Sequence, residues 1–248
     1  MKRTIILLNL IFTLLFGSFA QSSPKTISFK SPDGLTVTAD LYMTAAKDTP
    51  FIILFHQARF SRGEYREIAP KLNDLGFNCM AVDQRSGGEV NGVVNETHKR
   101  AEEAGMKTKY TDAYPDMEAA LEYVKDKYSP DKLIVWGSSY SSALVFVLAA
   151  KHPHDIDGIL SFSPGNYFKL EGRTIADYVK EVTCPVFITS AKSERESWQP
   201  IYDSLKSTDK NWFLPEVKGY HGSKALWAVN QGNEEYWKAV KEFLKRWE

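Results

Sequence analysis

Residues 133–144 read Leu133-Ile134-Val135-Trp136-Gly137-Ser138-Ser139-Tyr140-Ser141-Ser142-Ala143-Leu144. The apolar opening of this stretch predicts a strand buried on both faces. Small and aliphatic residues over 142–150 predict a helix. Between the two, Ser139 falls on a strand-to-helix turn, with Gly137 two residues before it and Ser141 two residues after. Small residues at those two positions let strand and helix approach closely and present the middle hydroxyl on a tight elbow. Ser141 stands where the G-x-S-x-G pattern has its second glycine. A plainer reading of the pentapeptide is a Gly/Ser-rich turn in which Ser139 only caps the helix.

Outward from that turn the chain alternates short β-branched or aromatic runs with helix-like segments. Residues 26–29 and 35–39 alternate polar and apolar around Pro32-Asp33-Gly34, which predicts a hairpin. Residues 51–55, 78–82, 159–162 and 186–189 read as buried strands, and a last strand is expected near 212–214. Helices are expected over 65–75, 116–127 and 234–247, and near 201–207. Gly76 stops the first of these. Residues 84–110 break the rhythm as a polar insertion loop with a charged, helix-like stretch over 96–103. An opening hairpin followed by strand–helix units implies a mostly parallel sheet with helices on both faces. Such sheets bind ligands at the carboxyl ends of their strands.

The N-terminus carries Lys2 and Arg3, an apolar run over 5–16, and small residues at Ser18 and Ala20. That is the layout of a cleavable signal peptide over residues 1–20, implying a secreted or periplasmic protein with no stable membrane insertion after cleavage. The apolar run is short for a bilayer span, which disfavours an uncleaved anchor. The rest, 21–248, is expected to form one domain. The chain has 31 Lys+Arg against 31 Asp+Glu, so nothing suggests a nucleic-acid footprint. Cys79 and Cys184 both fall in or beside strand-like runs and are expected as buried free thiols. His152-Pro153-His154 is not a ligand pair on one helical face, and no zinc or phosphate-loop motif is present. Neither a metal nor a cofactor is expected.

Taken as a set, Leu54-Phe55-His56-Gln57, Asp83-Gln84-Arg85-Ser86-Gly87, the elbow at Ser139, Cys184-Pro185-Val186 and Gly219-Tyr220-His221-Gly222 resemble the α/β-hydrolase superfamily. The similarity is nearest to its dienelactone-hydrolase-like and serine-peptidase-like branches. It covers nearly all of the chain after residue 20 and implies an α/β-hydrolase fold with a triad in the order Ser, acid, His. The nucleophile is then Ser139; the flanking Ser138 and Ser141 are disfavoured by elbow geometry. Among five histidines, His221 lies in a Gly-flanked loop between the last strand and last helix, where this family keeps its base. His98, His152 and His154 read as insertion or surface residues, and His56 matches the family's usually structural oxyanion-loop histidine.

The resemblance places the acid after the strand at 186–189, where Ser193 occupies the usual Asp position. Glu194 is the first choice and Glu196 the second. A plainer reading leaves both as solvated charges. For the oxyanion hole the resemblance implies the amides of Tyr140 and Gln57, while Asp83 and Arg85 match a structural turn. Phe60, Tyr65, Tyr167, Phe168, Trp198 and Tyr220 are candidates to line the cleft. The segment 164–182 is too short for a large lid, so only a minimal cap is expected. The implied activity is a serine hydrolase acting on a small ester, thioester, lactone or short peptide. The rival is a non-catalytic hydrolase-fold protein binding a ligand or partner through the same cleft. Fold does not choose among substrates, and oligomeric state is left open.

Overall fold

The computed structural model describes residues 24–44 and 49–248, so the expected signal peptide over 1–20 lies outside the described residues. The strands are β1 (Lys25–Lys30), β2 (Thr36–Tyr42), β3 (Phe51–Phe55), β4 (Asn78–Val82), β5 (Glu89–Val90), β6 (Val93–Val94), β7 (Leu133–Ser138), β8 (Gly158–Phe162), β9 (Val186–Thr189) and β10 (Lys210–Phe213). The helices are α1 (Ala69–Asp74), α2 (Glu96–Glu103), α3 (Tyr114–Tyr128), α4 (Tyr140–Lys151), α5 (Ile175–Tyr178), α6 (Arg195–Ser204) and α7 (Asn233–Leu244). The main sheet runs β1-β2-β4-β3-β7-β8-β9-β10. β1, β2 and β4 pair antiparallel, and every pair from β4 to β10 is parallel. This is the α/β-hydrolase fold, with the expected N-terminal hairpin.

The strands divide their side chains between two cores. In β3, Phe51, Ile53 and Phe55 face one layer, while Ile52 and Leu54 face the other. That period-two division makes a central strand read as a continuous apolar run. The first layer packs under α3, α4, α5 and α6 through Met117, Leu121, Phe146 and Trp198. The second packs under α1 and α7 through Leu72, Tyr236 and Val240. Each such side chain, buried in full, contributes about 1.5–3 kcal/mol.

Two helix expectations change. The helix expected over 65–75 is a 3₁₀ turn, Arg62–Tyr65, followed separately by α1. Pro70 lies in the first turn of α1, where its missing N–H costs nothing, so the helix starts there. The helix expected near 201–207 begins at Arg195 and carries Pro200 inside it.

The insertion is no open loop. Asn91 and Gly92, both at positive φ, turn β5 into β6, and Asn95 caps α2 by accepting the His98 amide at 2.8 Å. Thr97 Oγ1 accepts the Thr38 amide at 2.9 Å, and the Arg100 guanidinium reaches Thr38 Oγ1 at 2.8 Å. These bonds fasten the insertion to β2.

Cys79, in β4, is buried, and Cys184, just before β9, is only partly so. β3, β7 and β8 lie between those strands, so both thiols are free. Burial raises both, Cys184 to about 12. Among the described residues no helix is long and apolar enough to cross a membrane. The connection between β8 and β9 holds only α5 and a 3₁₀ turn, which leaves the cap minimal.

Candidate active site

The elbow at Ser139 follows from local sterics. A Cβ on Gly137 would stand 2.4 Å from the Ser141 carbonyl oxygen and 2.5 Å from Ser142 Cα, so only glycine permits this strand–helix approach. Ser139 itself has φ 58°, the strained left-handed region for a side-chain-bearing residue. Its amide donates to the Phe162 carbonyl at 2.8 Å, and its own carbonyl accepts from Ser142. Ser141, where a glycine was the pattern, is fully buried and used. Its hydroxyl donates to the His56 carbonyl at 2.5 Å and accepts from Gln84 Nε2 at 2.6 Å.

His221 reaches Ser139 from the loop after β10. Its Nε2 lies 2.8 Å from Ser139 Oγ and its Nδ1 lies 2.6 Å from Glu194 Oε1. With the carboxylate as acceptor, Nδ1 carries the proton and Nε2 is free to accept. The second oxygen of Glu194 accepts the Ser163 hydroxyl at 2.6 Å and the Ala191 amide at 3.2 Å. Ser163 also accepts the Gly222 amide at 2.9 Å, tying the acid to the histidine loop. Burial works to raise the Glu194 pKa, but the bonds from His221 and Ser163 prevail and hold it below the usual carboxylate value. Glu196 is exposed and makes none of these contacts. The structure therefore brings Ser139, His221 and Glu194 together and leaves Glu196 out.

The oxyanion expectation needs one correction. The Tyr140 amide has no partner among the described residues, but the Gln57 amide is engaged, donating to Glu64 Oε2 at 2.8 Å. The next amide of this loop, that of Ala58, has no partner among the described residues. The Gln57 carbonyl accepts from His56 Nδ1 at 2.9 Å and from the Phe60 amide at 3.2 Å. In a planar trans peptide the Ala58 N–H points opposite to that carbonyl, away from both donors.

His56 is structural. The Gln84 amide donates to its Nε2 at 3.0 Å, so Nδ1 carries its proton, and complete burial lowers its pKa from 6.5 to about 4. Asn95 Nδ2 also reaches Nε2, at 3.1 Å, which anchors the insertion beside the site. Asp83 accepts from the Arg62 amide and guanidinium, and burial raises it to about 6. Arg85 joins Asp116 on α3 to Asp33 in the β1–β2 turn. Neither residue reaches the serine–histidine pair.

Sequence reasoning missed Glu64. It is fully buried, yet nothing in Ser61-Arg62-Gly63-Glu64-Tyr65 distinguishes it from a solvated charge. Its Oε1 accepts the Ser138 hydroxyl at 2.7 Å while Oε2 holds Gln57, and burial raises its pKa from 4.5 to about 7. Of the aromatics expected in the cleft, Tyr65 and Trp198 are instead core residues, each fully buried. Tyr167 and Tyr220 are exposed, and Tyr167 donates its hydroxyl to the Ser163 carbonyl at 2.7 Å. Tyr110, an exposed ring the sequence did not single out, stacks on Tyr140 with centroids 4.8 Å apart.

A cleft of about 440 Å³ opens beside His221 and Glu194, bordered by Ser193, Lys218, Tyr220, Lys224 and Gln231. Elsewhere Glu122, His152 and Asp155 converge, but the Lys125 ammonium sits 3.2 Å from Glu122 and 3.0 Å from Asp155 and already supplies the positive charge.

The sequence profile of the alpha/beta hydrolase fold matches residues 50–181. Among solved structures, a dienelactone hydrolase from Anabaena variabilis superposes with a TM-score of 0.72 at 12% identity, covering 92% of this chain and 99% of that one. An esterase of Pyrococcus furiosus gives 0.68 at 19% identity, with 90% and 92% covered. A carboxyl esterase from Bacillus coagulans gives 0.67 at 12% identity, with 91% and 99% covered. At these identities the likeness is one of fold. No curated protein matches the sequence.

Proposed function

Because the chain belongs to the α/β-hydrolase fold family, we propose that it is a serine hydrolase cleaving a small ester, thioester, lactone or short peptide through an acyl-enzyme on Ser139. The observation that carries this reading is the continuous line Ser139 Oγ–His221 Nε2 at 2.8 Å and His221 Nδ1–Glu194 Oε1 at 2.6 Å. Ser139 Oγ attacks the substrate carbonyl as His221 Nε2 removes its proton. Glu194 holds the working tautomer and stabilises the imidazolium. The negative charge on the carbonyl oxygen is met by the free amides of Tyr140 and Ala58. His221 returns the proton to the leaving alcohol, thiol or amine as the tetrahedral intermediate collapses. Water, deprotonated by the same nitrogen, then attacks the acyl-enzyme and releases the acid, restoring Ser139.

The minimal cap favours small or accessible substrates over long buried chains. By the reading of residues 1–20 the protein acts outside the cytoplasm, which cell fractionation and N-terminal sequencing of the exported form test. The activity is tested by labelling with a fluorophosphonate mapped by mass spectrometry. Attachment at Ser139, abolished in Ser139→Ala and strongly slowed in His221→Ala, is the expected result. A folded protein that does not label would instead be a ligand-binding module.

A further inference from the structure

We propose that Glu64 is a positioning residue of the serine site, its ionised carboxylate clamping the loop after β3 to the strand that carries the nucleophile. The inference rests on the serine-hydrolase reading above. Three segments converge on this carboxylate. From the β3 loop comes the Gln57 amide at 2.8 Å, and from the end of β7 the Ser138 hydroxyl at 2.7 Å. Ser138 in turn accepts the Ser223 amide at 2.8 Å, which draws in the segment behind His221. The joint has no slack. A Cβ on Gly222 would stand 2.6 Å from Ser138 Oγ and 2.8 Å from Gln57 Oε1.

The ionised carboxylate is the form that satisfies every donor at this joint. Both of its oxygens face donors, and a carboxylate accepts at both. Protonation turns one oxygen into a donor: on Oε2 it opposes the Gln57 N–H, and on Oε1 it bonds only if Ser138 Oγ, already accepting the Ser223 amide, takes it and loses the acceptor for its own proton. Glu64 Oε2 is the acceptor that holds the Gln57 amide. If it swings, the peptide it shares with the loop moves, and with it the neighbouring Ala58 amide, free to meet an oxyanion. A clamp that released in acid would thus loosen the oxyanion side of the site without touching Ser139 or His221.

The charge is held against its solvation. Burial raises the Glu64 pKa to about 7, against the two hydrogen bonds and the nearby His221 and Lys224. The other groups facing it are the phenols of Tyr65 beside it and Tyr140 on α4, both raised by burial and neutral. Arg62, two residues away, is committed to Asp40 and Asp83. A folded-state pKa above the unfolded one means the ionised form is the less favourable for folding, so the fold gains nothing from this charge above pH 7. A buried charge that costs stability in the state where the site is assembled points to positioning rather than bracing.

The test measures the rate of fluorophosphonate attachment to Ser139 against pH in wild type and Glu64→Gln. Glutamine imitates the protonated acid, with one donor and one acceptor. A displaced oxyanion loop slows attachment by up to about 10²-fold, the scale of a 1 Å misplacement. Wild type should therefore label about 10–100 times faster than the variant at pH 8.5. Below pH 6 the ratio should fall towards one, since the wild type has then lost its clamp too. The melting temperature of Glu64→Gln at pH 8.5 should not fall below that of wild type.

A ratio independent of pH, or equal rates throughout, would overturn the proposal, as would a lower melting temperature with unchanged rates. If Glu64→Gln does not fold, Ser138→Ala decides. Removing the donor to Oε1 raises the Glu64 titration and must move the acid-side loss of labelling to higher pH; an unmoved profile refutes the clamp. Wild type that fails to label at all refutes the serine-hydrolase reading itself, an outcome distinct from either.

Discussion

Replacing Glu194 by Gln keeps the side chain's shape and removes its charge, and the surrounding hydrogen bonds set the consequence. One carboxylate oxygen faces the His221 Nδ1–H at 2.6 Å; the other faces two donors, the Ser163 hydroxyl at 2.6 Å and the Ala191 amide at 3.2 Å. The glutamine has one oxygen to serve both sides. With its oxygen towards His221, its NH₂ opposes the Ala191 amide and meets Ser163 Oγ only if that hydroxyl's own proton loses its acceptor, leaving groups unpaired at about 1–3 kcal/mol each. With its oxygen towards Ser163 and Ala191, its NH₂ faces Nδ1, which must give up its proton.

The second arrangement keeps more bonds and is the one adopted. It moves the imidazole proton to Nε2, where it points at Ser139 and cannot accept. The wrong tautomer in a serine triad lowers kcat by about 10⁴, or roughly 5.4 kcal/mol in the barrier. The assay is the second-order rate of fluorophosphonate labelling beside turnover of a p-nitrophenyl ester, with thermal melting as the folding control. Glu196→Gln is the internal control and should behave as wild type. The reasoning is refuted if Glu194→Gln labels within about tenfold of wild type, or if the two variants behave alike. The bonds from His221 and Ser163 hold the Glu194 pKa below the usual carboxylate value and so favour the ionised form that this role needs.

Three further outcomes are expected. Gly137→Ala forces a Cβ within 2.4 Å of backbone atoms that cannot move, so stability should fall by about 3 kcal/mol, read as a lower denaturant midpoint. Arg85→Met leaves Asp116 buried without its partner and should lose about 3–5 kcal/mol, part of which the double variant with Asp116→Asn regains. His56 has a folded-state pKa depressed from 6.5 to about 4, so the stability it contributes is complete above pH 6.5 and lost as pH falls towards 4. The stability advantage of wild type over His56→Gln should accordingly shrink by about 3 kcal/mol between pH 7 and pH 4 in denaturant titrations.

Most of the fold was legible because its signals are local. Continuous apolar runs mark β3, β4 and β7, and Gly137-Ser138-Ser139 carries its own steric reason for an elbow. Where local signals conflicted, boundaries moved. Pro70 favours a fresh helix start at α1, and α6 continues through Pro200, so both helices depart from the extents that apolar spacing suggested. The insertion looked like a loop because its anchors are side-chain bonds from Asn95, Thr97 and Arg100 to distant segments, which have no periodicity.

The same division separates the residues of the site. Ser139 and His221 were legible from a turn, flanking glycines and position in the order of elements. Glu194 was ranked ahead of Glu196 through the resemblance, while a 3₁₀ turn and the reach of one side chain are what bring that carboxylate to the imidazole. The Gln57 amide and Glu64 were beyond reach altogether. Whether a main-chain N–H is free, and whether a carboxylate is solvated or buried, are properties of what stands opposite in space. The sequence by itself determined the order of strands and helices and the serine at their turn. Tertiary structure alone decided which acid, which amides and which buried charge surround that serine, because hydrogen bonds and desolvation act between segments that the chain keeps far apart.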